Sequence, residues 1–255
     1  MSPKPWKNLI VVALMGVGCG AAFALSGSIS AFRRPTQEFQ PTIVNKTTSL
    51  EVVSATKTLI GQQYVLMVTL RNNSTKNILS YTYLAGHGST TRDYTFGKEP
   101  LSPGKTDVAY VSYEDLQNSP ISHKHPGHLV IVAAWFEGRS GDGDDHFVRK
   151  LSDQFEGLKQ QAKLIVPLLR KAADLNEHNQ DQALDYLISQ AALLSTGDDN
   201  SDASIDYKEG RRRAQSYFVA GISEMKKHRE LNTPVSQKAL LAKHLELFER
   251  LESKF

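Results

Sequence analysis

Read from its first residue, the chain changes its hydrophobic rhythm twice. Leu9 to Phe32 carry no charge, are apolar on every side and rich in glycine, and follow a short start with Lys4 and Lys7. A run of that length suits a bilayer-spanning helix, and the basic start with small residues at Ser28, Ser30 and Ala31 equally suits a secretory signal peptide. Both readings of residues 1–34, retained transmembrane anchor or cleaved signal, put the rest outside the cytoplasm, membrane-anchored or secreted. Arg33 and Arg34 place positive charge on the far side too, so charge bias does not orient the segment. Residues 35–48, with Pro35 and Pro41 among polar side chains, read as a linker.

From residue 49 to residue 145 the period is two. Short runs rich in Val, Ile, Thr and Tyr, such as YVLMVTLRN, NILSYTYL and HLVIVAAWFE, are separated by turn residues at fairly regular spacing, which is the pattern of a β-sandwich. Tyr64, Leu66, Val68 and Leu70 share one face and form the expected core side. From His146 the period lengthens to that of a helix. Phe147, Leu151, Phe155, Leu158, Ala162, Ile165 and Leu169 form one stripe, with Pro167 expected to kink its end. Asn179 is placed to cap a second helix, which Gly197 would end. A third helix follows, and Thr233-Pro234 would start a fourth. The expected class is therefore α+β: an N-terminal apolar helix, an antiparallel sandwich over 49–145, and a helical domain of three to four helices over 146–255.

The β-rich part resembles a known family type. VLMVTLRNNSTKNILSYTYL, followed at a distance by LSPGKTDVAYV, is similar to the immunoglobulin-like sandwich modules, of the FxLYD kind, found in exported and membrane-anchored bacterial proteins. There a strand ends in Asn-x-Ser, the next begins near a lysine and an isoleucine, and a Pro-Gly turn comes later. The resemblance spans Leu50 to Glu137 and implies a non-catalytic module whose family supplies no functional residues.

Composition narrows the chemistry. The net charge of +3 is spread along the chain, so nucleic acid is not an expected partner. The single cysteine, Cys19, lies in the apolar run, which excludes disulfides and thiolate-ligated metals. No nucleophile elbow, phosphate-binding glycine loop, dinucleotide fingerprint or H-E-x-x-H motif is present, so no enzyme is expected.

Two constellations have ligand chemistry. In DDNSDASIDYKE, Asp198, Asn200, Asp202, Asp206 and Glu209 stand at the side-chain ligand positions of an EF-hand loop, and the hard oxygen donors suit calcium. Against that, Ala203 occupies the position that wants glycine, Gly197 reads as a helix stop and Arg211 to Arg213 follow. The same residues also read as a helix start, with Asp206 as cap and Glu209 as its capping-box partner. In SHKHPGH, His123, His125 and His128 are spaced to share a transition ion, with an exposed turn at Pro126-Gly127 as the competing reading. GRSGDGDD, from Gly138 to Asp145, is read as the turn into the first long helix, capped by Asp144 or Asp145. Two functional classes follow: a non-catalytic interaction or assembly module that binds a partner protein or itself near the membrane, and a metal-responsive binding protein. No cofactor other than such an ion is expected.

Overall fold

A computed structural model describes residues 41–86, 88–96, 98–117, 127–194, 202–230 and 236–254. The segment read as signal or anchor lies outside them, and no helix among the described residues is long and apolar enough to cross a membrane.

The alternating runs form two sheets. One has the order β2 (Leu50–Ile60), β3 (Gln63–Asn72), β6 (Thr106–Ser112), all antiparallel. The other has the order β1 (Thr42–Asn45), β7 (His128–Phe136), β4 (Ile78–Ala85), β5 (Gly88–Asp93), with β8 (Ser140–Gly143) also paired to β7. Leu66, Val68 and Leu70 of β3 are buried as their alternation predicts, whereas Tyr64 on the same face is exposed near the hairpin end. Those three, with Ala109 and Val111 of β6, share one core with Ile78, Tyr81, Leu129, Ile131 and Phe136 of the opposite sheet. A short helix, α1 (Tyr113–Gln117), closes that core with Tyr113 and Leu116. Polar side chains tie the sheets at the rim. The Asp107 carboxylate of β6 accepts hydrogen bonds from Tyr81 (2.7 Å) and Tyr94 (2.6 Å) and faces Arg92 at 3.6 Å. Burial alone would raise the Asp107 pKa, but the two phenolic donors, the Val108 N–H and Arg92 outweigh it and hold the carboxyl below its ordinary range.

Two expectations need correction. The second sheet is mixed rather than antiparallel, because β1 runs parallel to β7, with Thr42 beside His128 and Asn45 beside Ile131. Strand β1 falls inside the stretch read as a linker. Thr42-Ile43-Val44 is a β-branched run whose Ile43 packs on the core, and Pro41 immediately before it gave the appearance of a tether. GRSGDGDD likewise does more than turn: residues 140–143 are β8. Its glycines serve close approach. Gly143 has φ +117°, and a Cβ there would sit 2.2 Å from the Val132 carbonyl oxygen; one at Gly141 would lie 2.4 Å from a Val148 methyl. The intervening Asp142 accepts the backbone N–H groups of Thr48 and Ser49, each at 2.7 Å.

Helices cover the outer face of the mixed sheet. Along β7 the side chains alternate, Ala134 and Phe136 entering the core between the sheets and Ala133 and Trp135 facing the helices. Trp135 stacks on Phe155 at 5.9 Å between ring centroids, beneath α2 (Asp145–Asn176). Asp144 caps α2, accepting from His146 N at 3.1 Å, and the helix continues through Pro167 to Asn176. Asn179 caps α3 (Gln180–Leu193), accepting from Asp181 N and Gln182 N. That helix ends at Leu193, with the Leu194 carbonyl accepting from Gln215 Nε2 at 3.1 Å; the expected stop at Gly197 lies outside the described residues. α4 (Ile205–Glu230) and α5 (Gln237–Lys254) complete the layer, and the expected start of α5 at Thr233-Pro234 is also outside them. Residues Phe39–Phe255 form one compact unit.

The tightest approach in this layer is α2 on α4. A Cβ on Gly157 would lie 2.0 Å from the Tyr207 carbonyl oxygen, and one on Gly210 would lie 2.0 Å from that of Gln154. Neither obstacle can rotate away, because both are backbone. Beside the crossing, the wholly buried Gln161 accepts from Arg211 Nε at 2.8 Å, which satisfies a polar group that would otherwise be costly there.

Alanine raises helix propensity over glycine by about 1 kcal/mol, but overpacking against fixed backbone costs about 1–3 kcal/mol or more. Gly157→Ala and Gly210→Ala are therefore each expected to lower the urea midpoint by the equivalent of about 1–2 kcal/mol. Gly88→Ala, which meets nothing within 4 Å, serves as the neutral control. A midpoint raised by Gly157→Ala would show that the helices are free to part.

Candidate functional site

The site is built where the segment after β5 meets α4 and α5. Asp93 ends β5 and makes an Asx turn, its Oδ1 accepting from Thr95 N at 2.7 Å. Its other oxygen pairs with Arg213 of α4, a partly buried ion pair between the sheet and the helical layer. Arg250 of α5 donates to the Thr95 carbonyl at 3.2 Å. Between these two arginines Phe96 lies against Tyr217, with ring centroids 4.6 Å apart and planes 26° from parallel.

Three cavities open around this stacked pair. The first, about 240 Å³, is bounded by Lys98, Glu99, Tyr217, Lys243, Glu246 and Arg250. A wider hollow of about 500 Å³ lies on the other side of Tyr217, against Phe96, Arg212 and Arg213. A third, about 160 Å³, lies beside Arg250, Tyr94, Asn77 and Glu137. Tyr217 borders the first two and Arg250 the first and third, so the three are neighbours along this seam. Arg212 is paired with Glu209 at 2.9 Å and Arg213 with Asp93. Lys98, Glu99, Lys243 and Glu246 take part in none of the ion pairs among the described residues. Mixed, unpaired charge around an aromatic floor is suited to holding a flexible polar segment. No nucleophile with an adjacent base lines the groove among the residues named.

Tyr217 is held from behind by His244 of α5, whose ring meets it edge-on at 5.7 Å. The imidazole also lies on Gly221, where a Cβ would come within 2.5 Å of its Cε1. Only 4% of His244 is exposed, and its Nε2 has no hydrogen-bond partner; the nearest carboxylate oxygen, on Glu224, is 3.9 Å away. Burial pushes its pKa below the ordinary imidazole range, with Glu224 opposing and Lys243 adding to the shift.

The ligand candidates read from the sequence lie elsewhere or outside the described residues. Asp198 and Asn200 are outside them, and Asp202 sits in the turn before α4. Asp206 accepts from Gln154 Nε2 at 3.2 Å, and Glu209 pairs with Arg212. Asp206 is not the cap: the Ser204 hydroxyl accepts the Tyr207 N–H at 3.1 Å, and Asp206, already inside the helix, turns toward α2. His123 and His125 are outside the described residues, while His128 begins β7 beside Thr42. Among the described residues no group of three carboxylate, imidazole or thiol side chains is placed to hold an ion. The groove residues Phe96, Arg213, Tyr217 and Arg250 come from segments far apart in sequence, and no local motif joins them. The one legible trace was Asp93-x-Thr95, an Asx-turn pattern that fixes the loop.

Comparison with protein-family models, with curated proteins and with solved structures finds no match to the chain.

The buried histidine sets a pH dependence. An unfolded imidazole titrates near about 6.5 and the folded one below that, so the unfolded state binds more protons within that window. The stability His244 contributes is thus complete above the unfolded value and is lost as pH falls toward the folded value. Melting temperature should drop between pH 7 and pH 5, and His244→Phe should flatten part of that slope. An unchanged slope in the variant would assign the drop to other groups.

Proposed function

We propose that the chain is a non-catalytic interaction or assembly module of the cell envelope, held at or near the membrane by its N-terminal segment, whose groove holds an extended segment of a partner protein. The observation that carries this reading is the set of neighbouring cavities beside the Phe96–Tyr217 pair, with Lys98, Glu99, Lys243 and Glu246 in no ion pair among the described residues. A peptide offers both signs of charge and a backbone that can donate and accept, whereas a small ligand would leave most of these groups without partners.

The immunoglobulin-like reading of the β-rich part is supported by its strand order. Setting β1 aside, the first, second and fifth strands share one sheet, and the fourth, third, sixth and seventh lie side by side in that order in the other. Immunoglobulin-like sandwiches divide their strands in the same way, A, B and E against C′, C, F and G. Such modules commonly serve recognition, but the groove here is made by helices added to the outer face of one sheet, so the binding surface belongs to this chain rather than to the fold type.

The test places a photo-crosslinking residue at Ser216, which borders the wide hollow, in cells that express the full chain. A discrete crosslinked partner is expected, and reversing two rim charges with Lys98→Glu and Lys243→Glu should reduce its yield about five- to tenfold, as rim charges act mainly on encounter rate. Equal yield from both chains would remove the groove from the interaction.

A further inference from the structure

One side of α4 carries Tyr217, Gly221, Glu224 and His228, spaced four, three and four residues apart, so that they follow one another along a single stripe. His244 of α5 lies over the middle of that stripe. A Cβ on Gly221 would sit 2.5, 2.6 and 2.9 Å from the imidazole Cε1, Nε2 and Nδ1, so the ring rests on the helix backbone itself. To one side stands Tyr217, met edge-on at 5.7 Å; to the other stands Glu224, whose Oε2 is 3.9 Å from Nε2. The second oxygen of Glu224 faces His228 Nε2 at 4.0 Å, so the two imidazoles do not compete for one atom.

This placement suits one protonation state of His244 and not the other. A neutral imidazole leaves one nitrogen without a proton, and its contacts with Gly221 and Tyr217 are then ordinary packing. An imidazolium donates from both nitrogens, and with 4% of the residue exposed and no partner for Nε2 its charge is left without compensation. Glu224 offers the remedy. A charge-assisted hydrogen bond wants nitrogen and oxygen about 2.8 Å apart, so the gap has to close by about 1 Å. The side chain of Glu224 is 46% exposed and that of His244 6%, and an ion pair costs less desolvation at the exposed end. The ring therefore moves to the carboxylate rather than the carboxylate into the notch. Because Glu224 and Tyr217 lie on opposite sides of Gly221 along α4, an approach to the first is a retreat from the second.

From this stripe we infer that His244 is a proton-operated switch: neutral, it rests on Gly221 and props Tyr217 from behind; protonated, it moves to Glu224 and leaves Tyr217 unsupported. Tyr217 lies against Phe96 and borders the first two cavities, so the change reshapes both. Two charges act on the switch. Glu224 from α4 favours the proton and Lys243 from α5 opposes it, while α2, which also packs on α5, contributes none among the described residues. Burial keeps His244 neutral at pH 7 and places the change below about pH 6.5. Control of a bound segment by this switch rests on the reading of the groove given above; the switch itself does not.

Fluorine NMR of the full chain in mild detergent, with 3-fluorotyrosine in place of Tyr217, reads the switch from about pH 7.5 down to about pH 4.5. A titration step is expected below about pH 6.5 while circular dichroism still reports intact helices. Glu224→Gln should lower its midpoint by about half a unit or more and Lys243→Gln should raise it, opposite shifts that altered packing alone would not give. His244→Gln should abolish the step and His228→Gln should retain it. If His244→Gln fails to fold, the opposite shifts of the two exposed variants decide. No step before the helices are lost, a step that survives His244→Gln, or one that vanishes in His228→Gln overturns the proposal. For the bound segment, crosslinking from Ser216 should fall about fivefold or more on the acid side of the step and stay level in His244→Gln. A captured partner whose yield ignores His244 overturns the switch's part in the groove. Capture of no partner beside an intact fluorine step would instead remove the groove reading and leave the switch standing.

Discussion

The helical layer depends on two glycines. At the crossing of α2 and α4, Gly157 and Gly210 let each helix rest on a carbonyl of the other, closer than any side chain would permit. That approach sets the depth at which α4 lies against α2, and α2 in turn lies on Trp135 through Phe155. The rest follows from those positions. With α4 at this depth, Arg213 reaches Asp93 and Tyr217 reaches Phe96; with the helices one methyl group further apart, both contacts would lengthen together. Gly221 repeats the device about three turns further along α4, admitting His244 and so placing α5. The side chains that define the groove are thus positioned by residues that have none.

The same dependence explains why α4 carries so many polar residues yet is well held. Arg211 to Arg213 follow one another in its second and third turns, and each needs its own acceptor. Arg211 donates to Gln161, while Arg212 pairs with Glu209 and Arg213 with Asp93. The exposed Arg212–Glu209 pair contributes little, about 0.3–0.5 kcal/mol for such a spacing. Arg213 is different. Its carboxylate partner is largely shielded from solvent, so loss of one member would leave the other desolvated, and the pair specifies where the 93–96 loop docks more than it stabilises the fold.

How much of this was legible in the sequence divides along the range of the interactions. Strand alternation in β3, the α2 stripe and the caps at Asp144 and Asn179 are local, and each was readable because neighbours in sequence decide it. β1 and β8 were not. Four residues each, they exist only because β7 offers a partner edge, and their proline and glycines speak against strands when read alone. Glycine was the most misleading signal. In GRSGDGDD it suggested a turn, whereas Gly143 there, like Gly210 on α4, permits a second backbone to come close. Ser204 outranked Asp206 as cap for a related reason, since the contact with Gln154 on another helix fixes where Asp206 points. The groove was invisible because its residues are joined only by the docking of the helices on the sheet.

The described residues are then layered, with helices, mixed sheet and three-stranded sheet in succession and no described helix on the last outer face. This order separates two kinds of surface by two layers of packed core. The groove is charged and irregular, formed where a loop meets helix sides; the open face is flat, uncharged and regular. Their physics differ accordingly: the charges around the groove are screened by salt, while the uncharged face is indifferent to it. With no shared side chains between them, substitutions in one should add to those in the other without coupling.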